Sequence, residues 1–274
     1  ALVGDLLKRF WDEEPIRYVP YGFKHLDKIV RGVPEGGVAV VGARTGKGKT
    51  AFLLSTLLRV VGDGAAPALV TLEMSDRAIV NRLIGMLAGV RSDKVDARDL
   101  TAPERRRCEE AIGVLVDLPL RIIYRPGMTG GEFVNLAQHL AREGYDYLAL
   151  DYIGKLRADE VTESRRIEVS RAALAVERAA QLSRLPIAAA HQLNRESEKR
   201  DGVPKITDLE ESGTIEQIAW QVILIHRPPD EEADLGDGRL LTDLIVEKNR
   251  NGDCGTVTVE FHRDGGYFND GDAT

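Results

Sequence analysis

Cysteine is scarce: Cys108 and Cys254 are the only two in 274 residues, and they form no C-x-x-C pair. That excludes a disulfide scaffold and a structural zinc site, and it fits a reducing compartment. Long apolar runs are missing too. No stretch approaches the roughly 20 residues of a membrane-spanning helix, so no membrane partner is expected. The amino terminus lacks a signal-peptide pattern, which makes the cytoplasm the expected location. Excess positive charge is absent: 37 basic residues face 44 acidic ones, for a net charge of -7. Any contact with nucleic acid must therefore rest on a local basic feature. There is no internal repeat and no low-complexity tract. The first residue is Ala1 rather than methionine, as a trimmed or processed start would give. What is present is ordinary: 43% hydrophobic and 30% charged residues, enough for one large α/β domain with an ample core.

The pattern alternates. "GVAVVGA" (37–43), "APALVTLE" (66–73), "YDYLALD" (145–151), "PIAAAHQL" (186–193) and "WQVILIHR" (220–227) read as buried strands. Helical patterns occupy 49–60, 75–89, 103–116, 131–143 and 165–184. Short apolar strands alternating with helices predict a mostly parallel sheet covered on both faces. The tail differs: "LLTDLIVEKNR" and "TVTVEFHR" flank "NGDCG", which predicts an antiparallel hairpin at the sheet edge. Residues 1–14 read as a short amphipathic helix, "LVGDLLKRFW" within it, followed by a connector to about Pro20. The expected division is a linker helix and connector over 1–20 and one domain over 21–274.

The segment Ala43-Arg44-Thr45-Gly46-Lys47-Gly48-Lys49-Thr50-Ala51 follows a predicted strand and opens a predicted helix. This is the setting of a phosphate-binding loop, G-x-x-x-x-G-K-[ST]. Such a loop surrounds phosphates with backbone N–H groups, sends its lysine to the β/γ oxygens and gives its hydroxyl to Mg²⁺. Lys49, Thr50 and Gly48 stand in frame, but Ala43 occupies the first glycine position and Gly42 lies one residue too early. Alanine serves there if its φ stays negative. The plainer reading is a surface loop rich in glycine and lysine, which the flanking strand and helix disfavour.

Hydrolysis needs two carboxylates with different tasks. Asp151 ends an apolar strand as a magnesium-holding aspartate would, and it could equally cap that strand end. Glu73 ends another strand, where it could polarise water, or the "EMS" segment could simply start the next helix with Ser75 as its N-cap. Gln192 closes a third strand, as a sensor or as a cap of backbone groups. Lys248 and Arg250 are two apart, so on a strand they share a face. A solvated pair guarding a sheet edge is the alternative.

These blocks in this order, "YGFKHLDKIVRGVPEGG", "GARTGKGKTAF", "TLEMS", "LDYI", "HQLNRESEKR", "DLEESGTIEQ" and "EKNRNGDCGTVTVEFH", resemble the C-terminal motor domain of the DnaB-type replicative helicases. The resemblance spans roughly residues 18–268. It implies a RecA-like P-loop ATPase core, ATP and Mg²⁺ as cofactors, and alanine as usual at the loop's first position. It implies Glu73 as catalytic glutamate, Asp151 with Thr50 at the metal, and Gln192 as γ-phosphate sensor. Lys248 and Arg250 become a finger reaching the neighbouring subunit's nucleotide. The function implied is a helicase of that family's polarity, translocating on single-stranded DNA as a homo-oligomeric, six-membered ring, with a helicase loader or primase as further partners. The 1–14 helix fits the family's linker. A recombinase-like or KaiC-like ATPase without unwinding activity is the alternative, and a non-enzymatic assembly module stands third.

The chain also departs from that pattern. The family's N-terminal collar domain is not expected within these residues, as either a truncated or a short natural form would give. "IEQIAW" stands where acidic residues are common, and Glu210 in "DLEESG" stands where the family usually has arginine. The resemblance places DNA contacts at Arg195, Glu211 and Gly213. The loop 194–213 nevertheless carries four basic residues (Arg195, Lys199, Arg200, Lys205) against six acidic ones (Glu196, Glu198, Asp201, Asp208, Glu210, Glu211). Weak binding by an isolated chain is expected, since phosphate contacts supply most affinity.

Overall fold

A computed structural model describes residues 7, 15–160, 164–194 and 202–271. The expected 1–14 helix, Leu7 apart, and Arg195 lie outside the described residues. A two-residue strand β1 (Tyr18–Val19) pairs antiparallel with β2 (Val33–Pro34) across helix α1 (Lys24–Val30). The main alternation follows: β3 (Val38–Ala43), α2 (Lys49–Gly62), β4 (Pro67–Thr71), α3 (Asp76–Ala88), α4 (Ser92–Ala97) and α5 (Ala102–Val116). Then come β5 (Arg121–Tyr124), α6 (Gly130–Arg142), β6 (Tyr147–Asp151), α7 (Arg165–Ser183), β7 (Ile187–Gln192), α8 (Ser212–Ile218) and β8 (Gln221–His226). The chain finishes with a short helix α9 (Asp230–Ala233), β9 (Asp234–Gly236), β10 (Arg239–Asn249), β11 (Gly255–His262) and β12 (Tyr267–Asp270).

The sheet runs β12-β11-β10-β8-β3-β7-β6-β4-β5, with β9 beside β10. The stretch from β8 to β5 is parallel and the β10–β12 end antiparallel. The predicted strands and helices fall within a few residues of these bounds. Five strands are additions: β1, β2 and β9, of two or three residues each, β5, a short half-buried edge strand, and β12, which extends the hairpin by one strand. None shows the long apolar run by which the others are read.

Alternation along β3 and β7 divides the core between the two sheet faces. Val41, Ala43, Ala188 and Ala190 pack with Phe52, Leu54 and Leu57 of α2. Val40, Ile187, Ala189 and Leu193 pack on the other face with Val176 and Ala180 of α7. Burial on both faces is why these strands read as continuous apolar runs. Helix starts follow their caps: Ser75 accepts from the Ala78 amide, and Thr101 and Thr129 each form a reciprocal capping box with the glutamate three residues on. Among the described residues no helix is long and apolar enough to cross a membrane.

Candidate active site

Parallel pairing brings four strand ends to the same edge of the sheet. Ala43 pairs with Gln192 across β3 and β7, and Thr71 pairs with Asp151 across β4 and β6. Outside the carboxyl ends of such strands the helices diverge and leave a crevice, the usual ligand position in open α/β sheets. Here the crevice holds a cleft of about 860 Å³, lined by Lys49, Thr50, Glu73, Asp151 and Gln192 together with Arg82. Five residues picked from four separate sequence blocks thus share one cavity.

The loop between β3 and α2 owes its course to specific glycines. Gly48 has φ 105°, a conformation L-residues rarely adopt, and a Cβ there would sit 2.9 Å from Phe268 Cζ. Gly42, the misplaced glycine, has a different task. It faces the opposite side of the sheet, where a Cβ would come within 2.6 Å of Leu209 Cδ2. Ala43 is a buried strand residue outside the left-handed region, so it meets the condition for replacing the first loop glycine.

Lys49 Nζ donates to the Ala43 carbonyl at 3.0 Å, which folds the ammonium back over the loop. Thr50 Oγ1 donates to Asp151 Oδ2 at 2.7 Å. Burial raises the Asp151 pKa, and the Thr50 hydrogen bond and the charge of Lys49 oppose that shift. Gln192 Nε2 donates to Thr45 Oγ1 at 3.0 Å, tying the end of β7 to the loop. Glu73 is exposed and stands two residues beyond Thr71, where the Leu72 amide donates to the Asp151 carbonyl at 2.9 Å. It lines the cleft, so a molecule bound there would meet it.

Arg82 was not among the residues picked from the sequence. It lies on α3 amid the buried positions Ile79, Leu83 and Met86, and burial lowers its pKa against the opposing charge of Asp151. An arginine on the inward stripe of an amphipathic helix is the signal that could have found it. The β11–β12 turn was missed as well: Phe261, Arg263, Asp264, Gly265 and Gly266 close the far side of the cleft. The consecutive Asp264-Gly265-Gly266 is a turn signal between strands.

Lys248 and Arg250 lie elsewhere. β10 ends at Asn249, so Arg250 stands in the turn rather than on the strand as expected, and a bulge separates Val246 from Lys248 in the pairing with β8. The two side chains still converge. Lys248 Nζ donates to the Glu216 carbonyl and Arg250 Nη2 to the Gln217 carbonyl, at the end of α8. The Arg250 guanidinium also lies 5.4 Å from the Trp220 ring centre. Burial and the neighbouring Arg250 lower the Lys248 pKa. Neither residue lines the cleft of its own chain.

The acidic pair at 210–211 is met by cations that the loop alone does not reveal. Arg166 Nε lies 3.0 Å from Glu211 Oε2, and Arg165 Nε lies 3.9 Å from Glu210 Oε1. Both arginines come from the start of α7, remote in sequence. Glu211 has φ 57° and precedes α8, with Gly213 exposed in the first turn of that helix.

A family model described as the DnaB-like helicase C-terminal domain matches residues 19–270. The replicative DNA helicase DnaB of Leifsonia xyli subsp. xyli is 35% identical over 254 residues, covering 89% of this chain and 54% of the relative. The replicative DNA helicase DnaB of Mycoplasma pneumoniae is 32% identical over 277 residues, covering 95% and 58%. The chain therefore spans little more than half the length of these curated relatives. Among solved structures, a DnaB-like replicative helicase studied with its interactions with primase matches with TM-score 0.84 and 25% identity. It covers 97% of this chain and 65% of that one. A second solved structure, an ATPase domain 24% identical, matches with TM-score 0.87 over 99% of both chains, a likeness of fold.

Proposed function

This chain belongs to the family of DnaB-like helicase C-terminal domains, and from that premise we propose that it is the ATP-hydrolysing motor of a replicative helicase, acting on single-stranded DNA. The observation that carries the reading is the convergence of Lys49, Thr50, Glu73, Asp151 and Gln192 on one cleft at the carboxyl edge of the sheet. Nucleotide use follows from the family; ATP with Mg²⁺ is the form the residues fit. Thr50 Oγ1 and Asp151 Oδ2, 2.7 Å apart, form a hard oxygen pair suited to Mg²⁺, which keeps waters and phosphate oxygens for its remaining positions. When bound, that ion would neutralise charge on the phosphates.

The chain's own groups divide the work. The 44–50 amides and the start of α2 cradle the β- and γ-phosphates. Lys49 exchanges the Ala43 carbonyl for phosphate oxygens, a stronger charge-assisted partner. Glu73 accepts a proton from the attacking water as general base. Gln192 exchanges Thr45 for the γ-phosphate and so registers its loss. Arg82 adds positive charge beside Asp151 within the cleft. Lys248 and Arg250, pointing away from this cleft, complete the site of an adjacent copy. A positive group at the transferred phosphate contributes a factor of about 10³–10⁵ in rate. A homo-oligomeric ring, six-membered by family likeness, is the assembly this requires. A cytoplasmic replication protein with single-stranded DNA, and a loader or primase, as partners is the setting proposed.

The test is ATP turnover with and without single-stranded DNA, beside a strand-unwinding assay and the mass of the chain in solution. Turnover stimulated by single strands, in an oligomer that unwinds a forked duplex, is expected. DNA-dependent turnover with strand exchange but no unwinding would favour the recombinase-like alternative.

A further inference from the structure

β7 ends with two polar residues that point to opposite faces of the sheet, as strand alternation requires. Gln192 turns toward the phosphate-binding loop, where it donates to Thr45. His191 turns the other way and is fully buried. Its Nε2 lies 2.6 Å from the carbonyl oxygen of Glu210. A carbonyl can only accept, so Nε2 carries the proton and Nδ1 is a bare acceptor. Nδ1 is buried with no hydrogen-bond partner among the described residues. Retaining a half-satisfied imidazole in a core costs about 1–3 kcal/mol, which an apolar residue would avoid.

The segment that His191 holds is fastened to β7 by backbone bonds too. The Glu210 amide donates to the Gln192 carbonyl at 3.1 Å, and the Asn194 amide donates to the Asp208 carbonyl at 2.7 Å. Leu193 and Leu209 form an isolated antiparallel bridge between them. Two residues after β7 and three before α8 thus form a miniature ladder. Its next members are Glu211, in the left-handed conformation and paired with Arg166, and the first turn of α8. Any rotation of the β7 end that follows Gln192 moves this ladder, provided its far side is gripped as firmly as its near side. His191 supplies a side-chain grip on the ladder from within β7.

We propose that His191 is a positioning residue that carries the nucleotide state read by Gln192 on one face of β7 to the 208–213 segment on the other. The inference rests on the nucleotide reading given above. Burial, with the charges of Lys49 and Arg165 nearby, lowers the His191 pKa to about 4. The imidazole therefore stays neutral and its Nε2–H bond persists at physiological pH. A gripping residue of this kind touches no phosphate and supplies no proton to the reaction.

The experiment is amide hydrogen exchange by mass spectrometry on the whole chain, with and without Mg²⁺ and a non-hydrolysable ATP analogue. His191→Leu removes the donor at similar volume, and His191→Gln restores a donor at the Nε2 position. In the wild type, nucleotide should slow exchange at the phosphate-binding loop and also across 206–214, there by about tenfold, within the range seen for coupled sites. In His191→Leu the loop should remain protected while 206–214 responds by less than about twofold. His191→Gln should recover the response. Should His191→Leu not fold, His191→Thr, too short to reach Glu210, serves the same purpose. No protection of the phosphate-binding loop in the wild type sinks the nucleotide reading itself. Loop protection that fails to reach 206–214 in the wild type, or that reaches it undiminished without the donor, overturns the role of His191.

Discussion

Replacing His191 by glutamine removes a titrating group from the core, and its effect on stability can be worked out. The folded pKa is lowered to about 4 from an ordinary 6.5. As pH falls below 6.5 the unfolded chain binds a proton on this residue and the folded chain does not. Stability from this group is therefore complete above pH 6.5 and lost progressively down to about pH 4. A difference of about 2.5 units at about 1.36 kcal/mol each amounts to about 3 kcal/mol. Full burial sets the sign, the cationic Lys49 and Arg165 add to it, and the hydrogen bond to the Glu210 carbonyl opposes it only in part. Asp27 titrates in the opposite sense. Burial raises its pKa from 3.8 to about 6, so its contribution is present at low pH and lost as pH rises through 6. The wild-type profile is flattened by these opposing slopes. Subtracting the His191→Gln profile cancels Asp27 and isolates the histidine. The assay is urea denaturation of both proteins at half-unit steps from pH 4 to pH 7.5, read as free energies. The expected difference curve falls by about 3 kcal/mol between pH 6.5 and pH 4 relative to the variant. A curve flat to within about 0.5 kcal/mol would show that His191 is not held neutral in the core.

Lys49→Ala should abolish measurable binding of Mg-ATP by calorimetry, whereas Glu73→Gln should bind normally and lose turnover by about 10²–10⁴-fold, as loss of a general base does. Normal turnover in Glu73→Gln would remove that residue from its role. Arg250→Ala should keep nucleotide affinity and lose most turnover. Mixing it with Glu73→Gln should restore some activity through interfaces with both intact residues, and no recovery in rings that exchange subunits would argue for self-contained sites. Gly48→Ala combines a forbidden φ with a Cβ 2.9 Å from Phe268. It should lower stability by about 1–3 kcal/mol and abolish nucleotide binding, both read by thermal melts with and without nucleotide.

The isolated sequence was most legible where covalent geometry repeats. Strands buried on both faces must be apolar throughout and helices must carry caps, so the alternation and its bounds were readable within a few residues. The phosphate-binding loop was readable because its chemistry demands adjacent residues: the frame Gly48-Lys49-Thr50 cannot be spread along the chain. The sequence also placed Asp151 and Gln192 at strand ends, since apolar runs stop there.

Which ends lie side by side was decided by sheet order and register, and these depend on contacts between segments a hundred residues apart. Thr50 meets Asp151 only because β3, β7, β6 and β4 stand in that order. The same reason hid Arg82, which had no visible partner until the fold set Asp151, at the end of β6, beside it in the cleft. It also hid the pairing of Glu210 and Glu211 with Arg165 and Arg166, charges that a count along the loop leaves as a bare acidic excess. Gly42 shows the division at one position. The sequence reads it as a motif glycine out of frame, but only packing shows that Leu209, far along the chain, leaves no room for a side chain there.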